Sequence, residues 1–135
     1  IWYFGDQHAE LTIGEERAMR MDAARSALDE GVRVAIHSDA PVTPMGPLFT
    51  AWCAVARETM SGRVLGEAQR ITTEEALYAI TLGAAYTLKL DHEIGSIEAG
   101  KRADFAILGE DPSKAAALKD VEVLGTVLSG ALHLL

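Results

Sequence analysis

The chain has a single cysteine, Cys53, among its 135 residues, so no disulfide can form within it. A reducing cytoplasm is therefore the expected compartment. Cys53 lies in the apolar stretch 48–55 and reads as a small core residue. No apolar run approaches the roughly 18 residues that cross a bilayer, so no membrane-spanning helix is expected. The opening residues lack the basic, apolar and small-residue succession of a signal peptide. A start at Ile1 suits a piece of a longer polypeptide. Lys and Arg total 12 against 20 Asp and Glu, a net charge of −8 with no basic cluster, which argues against nucleic acid as a partner. Only 4 histidines occur, and none forms a His-x-His pair.

What is present is the texture of a globular protein, 49% hydrophobic and 24% charged, long enough for one domain with a real core. Trp2-Tyr3-Phe4 is a short aromatic run turned by Gly5-Asp6. Gly14-Glu15-Glu16 opens a helical stretch with Ala18, Met21, Ala24 and Leu28 at helical spacing, and Gly31 closes it. Asp22 is a possible cap for a second short helix within that stretch. Residues 32–38 are β-branched and apolar between Gly31 and Pro41, and read as a buried strand. Residues 40–47 hold three of the 4 prolines and predict a structured loop. A helix is expected over 48–60. Thr72 and Glu75 form a capping-box signature for another running to about Leu90.

Beyond Asp91 turns alternate with short strands, and 121–128 and 131–135 predict a hairpin about Ser129-Gly130. The chain thus reads as α/β for its first two thirds and β-rich afterwards, with a boundary near residues 91–95.

Chemistry concentrates at His37-Ser38-Asp39, where the expected strand ends. Strand alternation would put Arg33, Ala35, His37 and Asp39 on one face. Functional residues of α/β folds sit at the carboxyl ends of strands. A carboxylate there can ligate a metal or take a proton, and an imidazole can ligate or orient. On residue type and spacing alone a second reading stands level with it: Asp39 caps the proline loop and His37 is a buried, hydrogen-bonded histidine. One His and one Asp cannot complete a metal's shell.

Three motifs in order extend the reading. Ala35-Ile36-His37-Ser38-Asp39-Ala40-Pro41-Val42 resembles the eighth-strand motif of the amidohydrolase superfamily, in the branch of N-substituted formamide deformylases and exoenzyme-regulatory-protein-like hydrolases. Thr81-Leu82-Gly83-Ala84-Ala85-Tyr86 resembles the helix after the barrel in that family. The run from Glu93-Ile94-Gly95-Ser96 to Phe105-Ala106-Ile107-Leu108 resembles the segment that returns to complete its accessory β-sandwich.

The resemblance implies an α/β fold: the C-terminal end of a (β/α)8 TIM barrel over 1–92, then part of a small accessory β-sandwich domain over 93–135. It implies a metal-dependent hydrolase of carbon–nitrogen bonds in non-peptide amides, with a divalent metal, zinc by analogy. Asp39 matches the aspartate that binds metal and shuttles the proton. His37 is expected to touch substrate or to stand just behind the residues that do, and Thr43 to shape substrate choice from the loop over the mouth. His8 is expected either to reach the substrate from the loop after the seventh strand or to be an exposed loop histidine. His92 and His133 read as structural or surface residues. The first-strand His-x-His and the further histidines of that superfamily have no counterpart here, so a catalytically inactive, self-associating segment of an active parent is expected. The expected partner is a small-molecule amide, with neither nucleic acid nor membrane, in a homo-oligomer. A non-catalytic α/β module for binding or assembly is the competing reading. Nucleotide binding has little support, because Gly95 and Gly100 open no helix and no Ser or Thr follows Lys101.

Overall fold

A computed structural model describes residues 1–135. Six α-helices come first: α1 (Gly5–Gln7), α2 (Glu15–Ala18), α3 (Ala24–Asp29), α4 (Pro47–Ala56), α5 (Thr73–Ile80) and α6 (Leu82–Thr87). A π-turn at His8–Thr12 follows α1, and a 3₁₀ turn at Glu67–Gln69 precedes α5. Three antiparallel strands follow in the order β1 (Phe105–Leu108), β2 (Val123–Leu128) and β3 (Ala131–Leu134). Helices and sheet together make a mixed α/β chain. No helix is long and apolar enough to cross a membrane.

Helix α4 holds the core. Pro47 occupies its first turn, where a missing N–H costs no hydrogen bond. Ala51 and Trp52 are buried against Ile71, Ala76 and Leu118. Trp2 packs edge-on against Trp52 and Phe49, with ring centroids 5.2 and 5.9 Å apart. Lys119 lays its ammonium 4.0 Å over the Trp52 ring, so the 3₁₀ turn Leu118–Asp120 is fastened to α4 by apolar and cation–π contact together.

The capping box starts α5 as expected: the Glu75 amide donates to Thr72 Oγ1 at 3.2 Å, and the Thr72 amide donates to Glu75 Oε2 at 2.8 Å. The same carboxylate takes two hydrogen bonds from Arg25 at 2.8 and 2.9 Å, which ties α3 to α5. These donors, the Thr72 amide first and Arg25 second, hold the Glu75 carboxyl below the usual glutamate range.

Three helical expectations are refined. The stretch from Gly14 to Gly31 breaks at Asp22, whose φ is 50°. Asp22 does not cap α3: Ala23 stands at the N-cap, one residue later, without a side-chain bond. Gly31 closes α3 in the left-handed conformation, with Val32 donating to Ala27 and Gly31 to Leu28, both at 2.9 Å, a Schellman pattern. The expected helix from Thr72 to Leu90 breaks at Thr81, where φ is −121° and ψ −97°. The Thr81 hydroxyl there donates to the Leu77 carbonyl at 2.7 Å, a local bond that competes with the helical ladder.

The expected helix over 48–60 stops at Ala56, because Arg57 turns left-handed with φ 52°. That turn carries its guanidinium inward, 1% exposed, to donate to three main-chain oxygens: Leu65 at 2.7 Å, Asp22 at 3.0 Å and Met21 at 2.6 Å. Burial lowers the Arg57 pKa, while nearby Asp22 works in the opposite direction. An arginine nevertheless stays charged.

Residues 32–38 form no strand. Two main-chain bonds from this run reach helices, from the Val32 amide to the Ala27 carbonyl at 2.9 Å and from the Ile36 amide to the Ala79 carbonyl at 3.3 Å. A buried parallel strand needs a ladder on its flanks, and none of the three strands of this chain lies beside it. Gly83 brings α6 against the run: a Cβ there would stand 2.6 Å from the Val34 carbonyl oxygen.

The final hairpin is as expected, Leu128 pairing with Ala131 about Ser129 and Gly130, both at positive φ. Asp104 accepts the Ser129 amide at 2.7 Å, and Gly130 donates to the Ala103 carbonyl at 3.0 Å, fixing the turn to the start of β1.

Outcomes at three residues follow for stability. Thr72→Ala should cost about 1 kcal/mol, read as a lower urea midpoint. Glu75→Gln should be destabilising at pH 7. A carboxyl held below its unfolded-state pKa stabilises above that value and stops doing so as pH falls through the folded one. The Glu75→Gln deficit should therefore shrink as pH falls below the usual glutamate range; a deficit independent of pH would contradict this origin. Arg57→Met should cost about 3 kcal/mol by stranding three carbonyls. Arg57→Lys should recover little of it, since an ammonium lacks the planar fork.

Candidate active site

Residues 34–38 pass between two open concavities. The first, about 450 Å³, has mostly apolar walls, with Trp2, Tyr3, Phe4 and Phe49 contributing aromatic surface. Asp22, His37, Ser38, Thr43 and Arg57 supply its polar groups. Cys53 also lines it, and burial pushes its thiol up, which keeps it a neutral SH and not a thiolate nucleophile at pH 7. The second concavity, about 390 Å³, is lined by Asp39 together with His37, Ala40, Met45 and Thr50. His37 and Ser38 belong to both.

The first concavity is lined by Val34, Ala35, Ile36, His37 and Ser38 in succession, so the two-faced alternation expected of a strand is absent. Without a ladder, nothing imposes the period of two.

The turn carrying Asp39 is tightly specified. Asp39 sits in the left-handed region at φ 56°, which an Asp tolerates better than most residues. Its carbonyl accepts from the Val42 amide at 2.8 Å, closing a four-residue turn. Its own amide donates to His37 Nδ1 at 3.0 Å. Thr43 Oγ1 donates to the Ser38 carbonyl, so the loop is gripped on each side of Asp39. The Ala40–Pro41 peptide inside it is cis. The Asp39 residue is exposed.

The four residues singled out in the sequence are thus placed unequally. His37, Asp39 and Thr43 share one loop. His8 lies on the π-turn, bonded through Nδ1 to Thr12 Oγ1 at 2.8 Å with its ring 6.5 Å from Phe4, and lines neither concavity. His92 is exposed beside Glu93, and His133 is exposed on β3. Sequence reasoning missed Arg57 and the aromatic wall. Trp2-Tyr3-Phe4 was visible as a cluster, but Arg57 looks locally like any residue near a helix end.

No three His, Cys, Asp or Glu side chains come together to hold a metal ion. Asp39 can contribute one ligand, and the donors present do not fill a shell.

The chain matches the amidohydrolase family model over residues 1–132. It is 41% identical over 117 residues to an N-substituted formamide deformylase of Arthrobacter pascens, covering 85% of this chain and 22% of that protein. It is 36% identical over 131 residues to an imidazolonepropionase of Phocaeicola vulgatus, covering 76% of this chain and 31% of that protein. An amidohydrolase structure from Thermotoga maritima superposes with a TM-score of 0.62 at 24% identity, over 81% of this chain and 24% of that one, a likeness of fold. The chain therefore spans less than a third of the length of these relatives. With the family model running nearly end to end, the chain belongs to the amidohydrolase family.

Proposed function

We propose that the protein is a metal-dependent hydrolase of carbon–nitrogen bonds in small non-peptide amides, of which this chain forms one wall of the active site. The observation that carries the reading is the Asp39 turn: an exposed carboxylate at the mouth of a concavity, on a backbone pinned from both sides, within a chain of the amidohydrolase family. Preorganisation of that kind is what proton transfer in a transition state requires.

In this reading residues 1–92 end a TIM barrel and 93–135 contribute strands to an accessory β-sandwich. The Asp39 carboxylate takes a proton from water as its oxygen bonds to the amide carbon. The carbon–nitrogen bond then breaks, and Asp39 hands the proton to the departing nitrogen. A divalent metal, zinc by analogy, would lower the pKa of water and polarise the carbonyl. Asp39 is the ligand this chain would offer it, and the rest of the shell would come from other residues. Thr43 and His37 face the first concavity, whose apolar and aromatic walls suit an uncharged substrate. His8 would need to move to reach it.

The net charge of −8 supports a small-molecule partner over nucleic acid. A cytoplasmic enzyme fits the lone cysteine. Leu132 and Leu134 on the edge strand β3, and Leu135 just beyond it, are 57, 71 and 88% exposed, which supports self-association of the isolated chain into a homo-oligomer.

Elemental analysis of the natural polypeptide that carries this segment should find a stoichiometric divalent metal. Asp39→Ala should lose that metal or cut amide hydrolysis by about 10²-fold or more. The isolated 135 residues should neither hydrolyse amides nor bind metal stoichiometrically. A metal-free natural polypeptide, or an Asp39→Ala protein of unchanged activity, would make Asp39 a loop cap and favour the non-catalytic module.

A further inference from the structure

His37 looks in sequence like a residue that touches substrate or metal. Its geometry assigns the ring a different task. The Asp39 amide donates to His37 Nδ1 at 3.0 Å, and the two residues are two positions apart. A ring nitrogen that accepts a hydrogen bond carries its lone pair in the ring plane, so the proton of a neutral imidazole is then on the other nitrogen, Nε2. The Nδ1 lone pair is spent on the backbone, and Nε2 bears a hydrogen. A ring in that state can donate one hydrogen bond outward and has no lone pair left for a metal.

The arrangement copies an Asx turn, in which an Asn or Asp side-chain oxygen accepts the amide hydrogen two residues on. Counting outward from Cβ, His Nδ1 stands where Asn Oδ1 would. What the bond secures is the Asp39 backbone at φ 56°. A non-glycine residue persists in that region only when its surroundings over-determine it. The Val42 amide fixes the carbonyl side of Asp39 at 2.8 Å, and His37 fixes the amide side.

We infer that His37 is the positioning residue for Asp39, acting through Nδ1 on the Asp39 amide and not through Nε2 on substrate or metal. The structural half of the inference stands by itself, and its kinetic consequence rests on the hydrolase reading above. The side chains that separate the two roles are Asn, which keeps an acceptor at the Nδ1 place, and Gln, whose amide reaches toward the Nε2 place.

The first test is long-range ¹H–¹⁵N correlation on the 135-residue chain at about pH 8, where imidazoles are neutral. It should find the His37 proton on Nε2. Hydrogen exchange at the Asp39 amide should quicken about ten-fold in His37→Gln, the weight of one hydrogen bond, and stay near wild type in His37→Asn. A proton on Nδ1, or equal exchange in wild type and His37→Gln, would overturn the assignment. Because the tautomer is read on the wild type, the test survives even if a variant folds poorly.

The second test uses the natural polypeptide. His37→Gln should lower kcat about ten-fold with KM little changed, and His37→Asn should restore most of it. The reverse pattern, Gln active and Asn inactive, would place the function at Nε2 and overturn the inference. A wild type with no amide hydrolysis counts against the hydrolase reading, and the tautomer then decides the anchor separately.

Discussion

The C-terminal end of α4 joins the break between α2 and α3 to the segment at Leu65. There Arg57 leaves the helix left-handed and buries a guanidinium that holds the carbonyls of Met21, Asp22 and Leu65. A buried cation is tolerable only when its donors are satisfied, and here peptide oxygens from two distant segments supply the partners. The requirement is reciprocal. The break between α2 and α3 turns its carbonyls inward because Arg57 is there to take them. Helix α4, with Ala51 and Trp52 buried beside α5 and Leu118, gives that arrangement a rigid base.

From this base the site is assembled outward. α4 and the break at Asp22 bound the first concavity, and residues 34–38 cross between it and the second. Gly83 allows α6 to lie against the Val34 carbonyl, which fixes the depth at which that crossing runs. The loop leaving it is held at three points: the His37 ring, the Val42 amide and the Thr43 hydroxyl. All three act on main-chain atoms of residues 38 and 39, so Asp39 keeps its carboxyl group free for chemistry.

How much of this could be read from sequence depended on the range of the forces involved. The capping box at Thr72 and Glu75, the glycine that ends α3 and the Ser129-Gly130 turn are set by neighbours within a few residues, and each was legible. The break at Thr81 is also local, but a threonine inside a helical pattern gives no sign of whether its hydroxyl will bond back to the main chain. The end of α4 at Ala56 was not legible, because its cause lies 35 and 36 residues away at Asp22 and Met21. Residues 32–38 carry a buried strand's composition without its hydrogen bonds or its burial, since both depend on partners on the flanks and none of these residues is buried. At the site, residue types pointed to His37 and Asp39 together. Which nitrogen of His37 is engaged was a matter of geometry that no spacing encodes.

In the proposed hydrolase Asp39 stands in the active site as ligand and proton carrier. Diffraction from the natural polypeptide, with anomalous data collected at the edge of its bound metal, tests it most directly. An anomalous peak is expected about 2.0–2.2 Å from an Asp39 carboxylate oxygen, with the His37 ring still turned to the Asp39 amide. A metal bound wholly by other residues, with Asp39 facing solvent beyond coordinating distance, would contradict it.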